Sequence, residues 1–203
     1  MITAIRATSR TLADFLTAEL KADPDLGPFF GGGGTMRVLL NTPAEMSGAR
    51  SGLSIWLYRV TRDDATLNRP PERIGPTTLR RAPLPVRLHY LISPITGADV
   101  DDATATEQVI LGKALQVLHE HPQLSGADLT DDFQGTSAVI TARFESLNVD
   151  ELSRIWDALD RPYRTSISYE VTVVDIEARV RDKVGPPVQV PVLDPVLVVG
   201  GPS

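Results

Sequence analysis

The order of helical and strand periodicity along the chain is the feature that most restricts its fold. Apolar residues recur at helical spacing in about residues 2–22, 104–121 and 148–161, and period-two alternation marks residues 36–40, 53–60, 86–92, 138–144 and 166–173. The predicted order is therefore α-β-β-β-α-β-α-β. Three strands in succession do not fit the strict βαβ alternation of a doubly wound fold. We expect an α+β domain with a mixed, largely antiparallel sheet and helices on one face.

Two helix starts have the spacing of a capping box, in which a side chain at the N-cap and a glutamate three residues later bond each other's backbone N–H groups. The pairs are Thr104 with Glu107 and Asn148 with Glu151. The second helix carries an apolar stripe of Leu152, Ile155, Trp156 and Leu159. We expect this stripe to pack on the sheet face formed by Ile167, Tyr169, Val171 and Val173.

Length and charge limit the organisation and the partners of the chain. Its 203 residues suffice for one large domain, which we place at residues 1–184, with residues 185–203 as a proline-rich C-terminal arm. A formal net charge of −6 repels phosphate backbones and anionic lipid surfaces, so nucleic acid and membrane are disfavoured as partners. The chain has no cysteine, which excludes disulfides, thiolate metal sites and cysteine nucleophiles. No stretch has the pattern of a signal peptide or a membrane span, so we expect synthesis in the cytoplasm.

Residues 61–85 are predicted to form a long loop inside the domain. Prolines interrupt this segment, and five arginines are its candidate interface residues: Arg62, Arg69, Arg73, Arg80 and Arg81. A solvated, mobile connection is one interpretation. A docking surface is the other, because the planar guanidinium group recognises carboxylates and arginine is enriched at interfaces.

The C-terminal arm combines prolines with exposed apolar residues. Its candidate interface residues are Val188, Val190, Val192 and Leu193. Proline at this density excludes a helix or a central strand, so an extended conformation is expected. Apolar side chains in such an arm favour burial against a neighbouring subunit, and a disordered tail is the alternative.

The sequence contains no complete motif for a catalytic, phosphate-binding or metal-binding site. His119 and His121 stand two apart, which places them on different sides of a helix, and His89 belongs to a distant strand. The four glycines at 31–34 lack the lysine and hydroxyl residue of a phosphate-binding loop. We therefore predict no catalytic residue, no cofactor and no metal.

The spacing of the acidic residues Asp99, Asp101 and Asp102 does not match that of a metal site either. A calcium loop that began at Asp99 would have Thr104 at its sixth position, where glycine is required, and Ile110 at its twelfth, where glutamate is required. Acidic residues ahead of a helix complement its positive end, which is a sufficient structural explanation.

Four segments, in this order and at this spacing, resemble one known family. They are IWLYRVTRDD (55–64), LPVRLHYLISPITG (84–97), EQVILGKALQVLHEHPQL (107–124) and ELSRIWDALDRPYRTSISYEVTVV (151–174). Together they are similar to the cap, or tube-terminator, proteins of phage-tail-like contractile injection systems of the antifeeding-prophage and virulence-cassette type. The similarity covers about residues 2–176 and rests on structural residues.

The resemblance implies a non-enzymatic subunit of a terminator-like fold that closes the distal end of the inner tube as a ring and anchors the last sheath layer. Its implied partners are further copies of itself, as a homohexamer, the inner-tube protein and the sheath protein. The assembled particle is one that can be released from the cell. Two alternatives stay open: another tail component such as a connector or chaperone, and a small hydrolase or ligand-binding domain.

Overall fold

A computed structural model of the chain describes residues 2–46, 50–97, 100, 102–176 and 181–183. The chain divides into two compact units. The first comprises Met1–Asn68 and Pro83–Glu177, and the second comprises Arg69–Ala82 and Ala178–Ser203. The predicted boundary between residues 184 and 185 lies outside the described residues.

The first unit is built on a six-stranded sheet. Its strands, in sheet order, are β1 (Arg37–Leu39), β2 (Gly52–Arg62), β5 (Leu84–Ile95), β8 (Ile167–Ile176), β7 (Val139–Glu145) and β6 (Gln123–Ser125). The β1–β2 pair is parallel and the other four pairs are antiparallel. The expected α+β class with a mixed, largely antiparallel sheet is therefore confirmed.

Four helices accompany this sheet: α1 (Ala4–Ala22), α2 (Gly27–Phe30), α3 (Ala103–Glu120) and α4 (Val149–Ala158). Two short 3-10 turns, Gly126–Asp128 and Asp131–Phe133, follow β6. All three predicted helices and all five predicted strands are present, with ends shifted by a few residues. The additional elements are short, so their sequences are too brief to establish a period.

The main core lies between one sheet face and helices α1 and α3. Leu16 and Leu20 of α1 and Ile110 of α3 are fully buried there against alternate residues of the central strands, such as Leu88 and Val171. This packing follows from the apolar stripes of both helices and from the alternation of the strands.

A buried hydrogen bond also joins α1 to this face of the sheet. The Ser9 hydroxyl lies 2.8 Å from the Tyr90 hydroxyl. Because both groups are polar and buried, each satisfies the other at the helix–sheet interface.

Helix α4 lies on the opposite face of the sheet, so the expectation of helices on one face holds only for α1 and α3. Trp156, which is 2% exposed, packs with Leu91 and Ile95 of β5 in a second apolar cluster. Ile167, Tyr169 and Val171 belong to the main core. The predicted contact between the α4 stripe and that face is therefore wrong, because successive strand residues point to opposite faces and α4 uses the face of Leu91.

The two predicted capping boxes have different outcomes. Asn148 caps α4, and both of its reciprocal bonds with Glu151 are present at 2.9 Å. The box at Thr104 is wrong, because α3 starts after Asp102, which has a left-handed backbone at φ 50°. Glu107 instead accepts hydrogen bonds from Thr96 and from Arg164, a tertiary interaction that replaces the local one.

The segment 61–85 is not the continuous loop that its prolines predict. Strands β3 (Glu72–Gly75) and β4 (Thr78–Arg80) form an antiparallel hairpin, and β4 also pairs with β9 (Arg181–Lys183). This three-stranded sheet is the described part of the second unit. The prolines at 70, 71, 76, 83 and 85 fall outside the paired residues of the hairpin, where they interrupt no β3–β4 ladder bond.

Candidate functional site

The candidate interface arginines fall into two groups. Arg62 ends β2 in the first unit, and its side chain pairs with Asp64 at 2.8 Å. The other four belong to the second unit: Arg69, Arg73, Arg80 and Arg81. The structure thus brings four of the five predicted arginines together in one small unit and separates Arg62 from them.

Local contacts fix the two hairpin arginines. Arg73 donates to the carbonyl oxygen of Pro76 at 2.8 Å, which closes the β3–β4 turn. Arg80 lies 3.7 Å from Glu72, its register partner on β3. Both ion pair and turn contact are exposed, so they orient the side chains without burying the guanidinium groups.

The sequence of the hairpin gives the second unit a local positive charge. Residues 69–82 contain four arginines and one acidic residue, Glu72. The whole chain has a net charge of −6. A basic patch on an acidic protein favours contact with a carboxylate-rich surface. The arm residues Val188, Val190, Val192 and Leu193 lie outside the described residues.

A polar network lies on the α4 side of the sheet, beside the Trp156 cluster. Its centre is His89 on β5, which is 2% exposed. The Nδ1 atom of His89 is 3.2 Å from Glu145 on β7, and its Nε2 atom is 3.0 Å from the Thr61 hydroxyl on β2. Arg59 lies 3.3 Å from the same imidazole. The network thereby ties three strands together through a buried ring.

The Glu145 carboxylate is the main acceptor of this network. Ser168 donates to it at 2.7 Å, and the Tyr58 hydroxyl lies 3.3 Å away. Burial raises the pKa of Glu145, but hydrogen bonds from Ser168 and His89 outweigh burial, so the pKa lies below its ordinary value. Glu145 is therefore ionised near neutral pH, where it accepts hydrogen bonds and does not act as a proton donor.

A second ionic cluster holds the end of β2. Arg87 lies 2.6 Å from Asp63, whose side chain is 2% exposed, and 2.9 Å from Glu170 on β8. Thr66 also donates to Asp63. Hydrogen bonds from Thr66 and Arg87 hold the pKa of Asp63 below its usual range. The cluster anchors the chain where it leaves β2 toward the second unit.

The order Glu145, His89, Thr61 is that of a carboxylate, an imidazole and a hydroxyl, which also occurs in nucleophilic triads. A nucleophile needs an exposed hydroxyl and nearby N–H donors for the oxyanion. Thr61 lies inside strand β2, where its register partner on β5 is Arg87. Arg59 also contacts the imidazole. These contacts join strands β2, β5 and β7 through the imidazole ring.

Sequence reasoning did not identify this network. The alternation of apolar residues over 86–92 predicts a strand, but it does not predict which residues Arg87 and His89 contact. Their partners Glu145 and Asp63 are distant in sequence, so no local spacing could connect them. A signal was nevertheless present, since several polar residues occupy one side of adjacent strands.

The candidate metal ligands remain separate in the structure. His119 lies in the last turn of α3, and His121 is its C-cap residue, where its ring contacts Phe15. Asp102 caps the start of the same helix, and Asp99 and Asp101 lie outside the described residues. Within the described ranges, no group of three or more histidine or acidic residues is placed to hold a metal ion.

Comparison with known proteins assigns the fold to a family. The model of the Pvc16 N-terminal domain family matches residues 7–190. This chain belongs to the Pvc16 N-terminal domain family. All four segments that carry the predicted resemblance lie within the matched residues, and the two tube-terminator structures described next share the fold.

Two solved structures share the fold of this Pvc16 N-terminal domain. One is the sheath/tube terminator of PVC, an extracellular contractile injection system, in its extended state, with a TM-score of 0.62 and 18% identity over 100% of this chain and 65% of that chain. The other is the tube-terminating cap of the anti-feeding prophage, with a TM-score of 0.57 and 17% identity over 97% of this chain and 61% of that chain. The chain thus spans less than two thirds of the length of either terminator.

No curated protein sequence matches this Pvc16 N-terminal domain. None of the helices that the structure describes combines the length and the apolar character needed to cross a bilayer.

Proposed function

We propose that this chain is a structural cap subunit of a contractile injection system, which closes the distal end of the inner tube and anchors the last layer of the sheath. The observation that carries the proposal is the match of the Pvc16 N-terminal domain model to residues 7–190. The fold likeness to two tube terminators supports it. The subunit acts by binding, and the polar network around His89 serves to hold the sheet rigid.

Self-association into a closed ring is part of this proposal, with a homohexamer as the expected state. A ring needs two different surfaces on each subunit, because its contacts are head to tail. The arginine-bearing hairpin is one candidate, with Arg69, Arg73, Arg80 and Arg81 directed to a carboxylate-rich partner. The arm residues Val188, Val190, Val192 and Leu193 are the other candidate, through burial of apolar area.

The proposed partners beyond the ring are the inner-tube protein and the sheath protein. Synthesis in the cytoplasm and incorporation into a particle that can be released belong to the same proposal. A protein with this role needs no cofactor, and neither nucleic acid nor membrane is among the proposed partners.

The test has two stages and uses the full chain. Sedimentation first measures its mass alone. The chain is then added to polymerising tube protein from the same injection system, and tube length and end structure are measured by electron microscopy. A cap adds density to one end and shortens the tubes in proportion to its concentration. Unchanged tube lengths with no added end density would contradict the proposal.

A charge-reversal variant probes the hairpin in the same assay. Arg73→Glu combined with Arg80→Glu should weaken tube capping or ring formation, because it replaces two exposed cations with anions. Arg10→Glu combined with Arg154→Glu, at exposed positions of α1 and α4, changes the net charge by the same amount and is the matched control. Equal loss in both variants would assign the effect to net charge instead of the hairpin.

Two other outcomes would favour the alternatives. A chain that binds free sheath or tube protein but is absent from finished tubes would act as an assembly chaperone or connector. Hydrolysis of a small ester substrate that disappears in Thr61→Ala would favour a small hydrolase and would overturn the structural role of the His89 network.

A further inference from the structure

Among the residues that the structure describes, no strand pairs with the outer edge of β2 over most of its length. Strand β1 lies beside β2 only at Gly52, Leu53 and Ser54. From Ile55 to Arg62, the one strand neighbour of β2 among the described residues is β5. A register shift between Leu57 and Arg59 interrupts the ladder, so the regular part of this edge is residues 59–62. At about 3.3 Å per residue, these four residues offer an edge roughly 13 Å long. We call residues 55–62 the β2 edge.

The hydrogen bonds at the end of β2 establish which backbone groups point outward. The N–H of Asp63 donates to the carbonyl oxygen of Pro85 on β5 at 2.9 Å. In an antiparallel ladder successive residues alternate between the partner side and the outer side. Thr61 therefore points its backbone groups toward β5, and Val60 and Arg62 point theirs toward the open edge.

Charge decides what kind of strand can occupy this edge. The only ionised side chains on residues 55–62 are Arg59 and Arg62, which are 51% and 57% exposed. Pairing of the edge with a second copy of itself would bring four guanidinium groups together, and like charges across a strand pair are destabilising. The two arginines thus protect the edge from self-pairing.

The present ion pairs of these arginines do not block a partner. Arg59 lies 3.5 Å from Glu145, and Arg62 lies 2.8 Å from Asp64, which is 77% exposed. The Arg62 pair is exposed at both side chains, and such pairs contribute little to stability. The Glu145 partner of Arg59 is mostly buried, but the Arg59 side chain is itself 51% exposed and can also contact a carboxylate outside the sheet. Trp56 and Tyr58 lie on the same strand and are half-buried, and tryptophan, tyrosine and arginine are the residue types that dominate binding hot spots.

We propose that the β2 edge is a docking site for an extended strand of another polypeptide that carries two carboxylates three positions apart. Arg59 and Arg62 are three residues apart in the regular part of the strand, so they lie on opposite faces of the sheet. A matching strand needs one carboxylate on each face. The two positions between them face Val60 and Thr61, which suit β-branched residues.

The strands of this chain do not supply that pattern. Of the strands that the structure describes, only β8 contains two acidic residues, Glu170 and Asp175, and these are five positions apart. Since none of these described strands carries the pattern, the occupant that we propose is a strand of a different protein. The proposal requires no ring, so it can fail or succeed independently of the cap function.

The probe is an amidated ten-residue peptide of valine and threonine with two glutamates three positions apart, titrated into the ¹⁵N-labelled full chain. Saturable shifts and slowed hydrogen exchange at the Val60 and Arg62 amides are expected. A peptide with lysines at the two positions should bind at least tenfold more weakly, and so should one N-methylated at alternate residues. Absence of saturable shifts at about 1 mM peptide, or equal binding by the lysine peptide, would overturn the proposal.

Two variants separate backbone pairing from charge. Val60→Pro removes the outward N–H and leaves the β5 side of the ladder intact, whereas Val60→Ala keeps that N–H. Binding should fall at least tenfold in the proline variant and less than threefold in the alanine variant. Arg59→Glu combined with Arg62→Glu should reverse the preference toward the lysine peptide. Unchanged preference in this double variant would refute the proposal even if Val60→Pro did not fold.

Discussion

Gly34 occupies a position that no side chain can enter. A Cβ placed there would lie 1.9 Å from the carbonyl oxygen of Phe29, whereas a Cβ at Gly33 would meet nothing within 4 Å. Met36 donates to the same carbonyl at 3.1 Å. Of the four glycines at 31–34, Gly31 and Gly34 are thus required by close backbone approach, whereas Gly32 and Gly33 are not.

This difference predicts opposite outcomes for two neighbouring substitutions. Gly34→Ala should lower the free energy of unfolding by about 1–3 kcal/mol, because the backbone must shift to relieve the overlap. Gly33→Ala should change it by less than about 0.5 kcal/mol. Urea unfolding followed by tryptophan fluorescence measures both. Equal effects would mean that the close approach at Gly34 is absent in solution.

The Glu145 carboxylate predicts a pH dependence of stability. Its pKa is lower in the folded chain than in the unfolded one, so ionised Glu145 stabilises the fold above the unfolded value of about 4.3 and loses this contribution as the pH falls below it. The stability difference between the natural chain and Glu145→Gln should therefore shrink from pH 6 to pH 3. Thermal unfolding across this range measures it, and a constant difference would contradict the assigned bonds from Ser168 and His89.

At the scale of the element, α4 depends on one side chain. Trp156 is 2% exposed and donates from its indole nitrogen to the Ser166 hydroxyl at 3.1 Å. Trp156→Ala should cost about 3–5 kcal/mol, because it leaves a cavity beneath the helix. Val149→Ala, at a residue that is 70% exposed on the same helix, should cost less than about 0.5 kcal/mol. Equilibrium denaturation followed by circular dichroism compares the two, and similar losses would place α4 away from Leu91.

Periodicity identified which residues of α4 face inward, but it could not identify the surface that receives them. Tyr90, Leu91 and Ile92 are consecutive, apolar and buried, so both faces of β5 can accept a helix. The choice is made by tertiary packing with Met46 and Ile95. Local patterns of period and capping were sufficient for most elements and insufficient for their pairing.

The start of α3 shows the same limit of prediction from local sequence. Thr104 has capping-box spacing, yet Glu107 bonds Thr96 and Arg164 instead. Arg164 lies 57 residues after Glu107, so the hydrogen bond between them cannot be predicted from local sequence. The His89 network was missed for the same reason, because its strands become neighbours only in the folded sheet.

At the scale of the whole molecule, the arm predicts a separation of folding from assembly. Deletion of residues 185–203 should leave the thermal unfolding of the first unit unchanged, because the described members of its core clusters all precede residue 177. Ring formation or tube binding should weaken, since apolar area that would be buried between subunits is lost. Sedimentation and tube capping of the truncated and full-length chains test this. Identical assembly would support the disordered-tail alternative.

The sheet order has a consequence for how the protein is made. Strand β8 completes the centre of the sheet by pairing with both β5 and β7. Tyr90 cannot pair with Tyr169 until Tyr169 has been translated, about 80 residues later. Until β8 leaves the ribosome, the nascent chain exposes one side of β5 as an unfinished edge, and such edges promote misassociation. The strand order therefore predicts slow folding and a period of exposure to misassociation during translation.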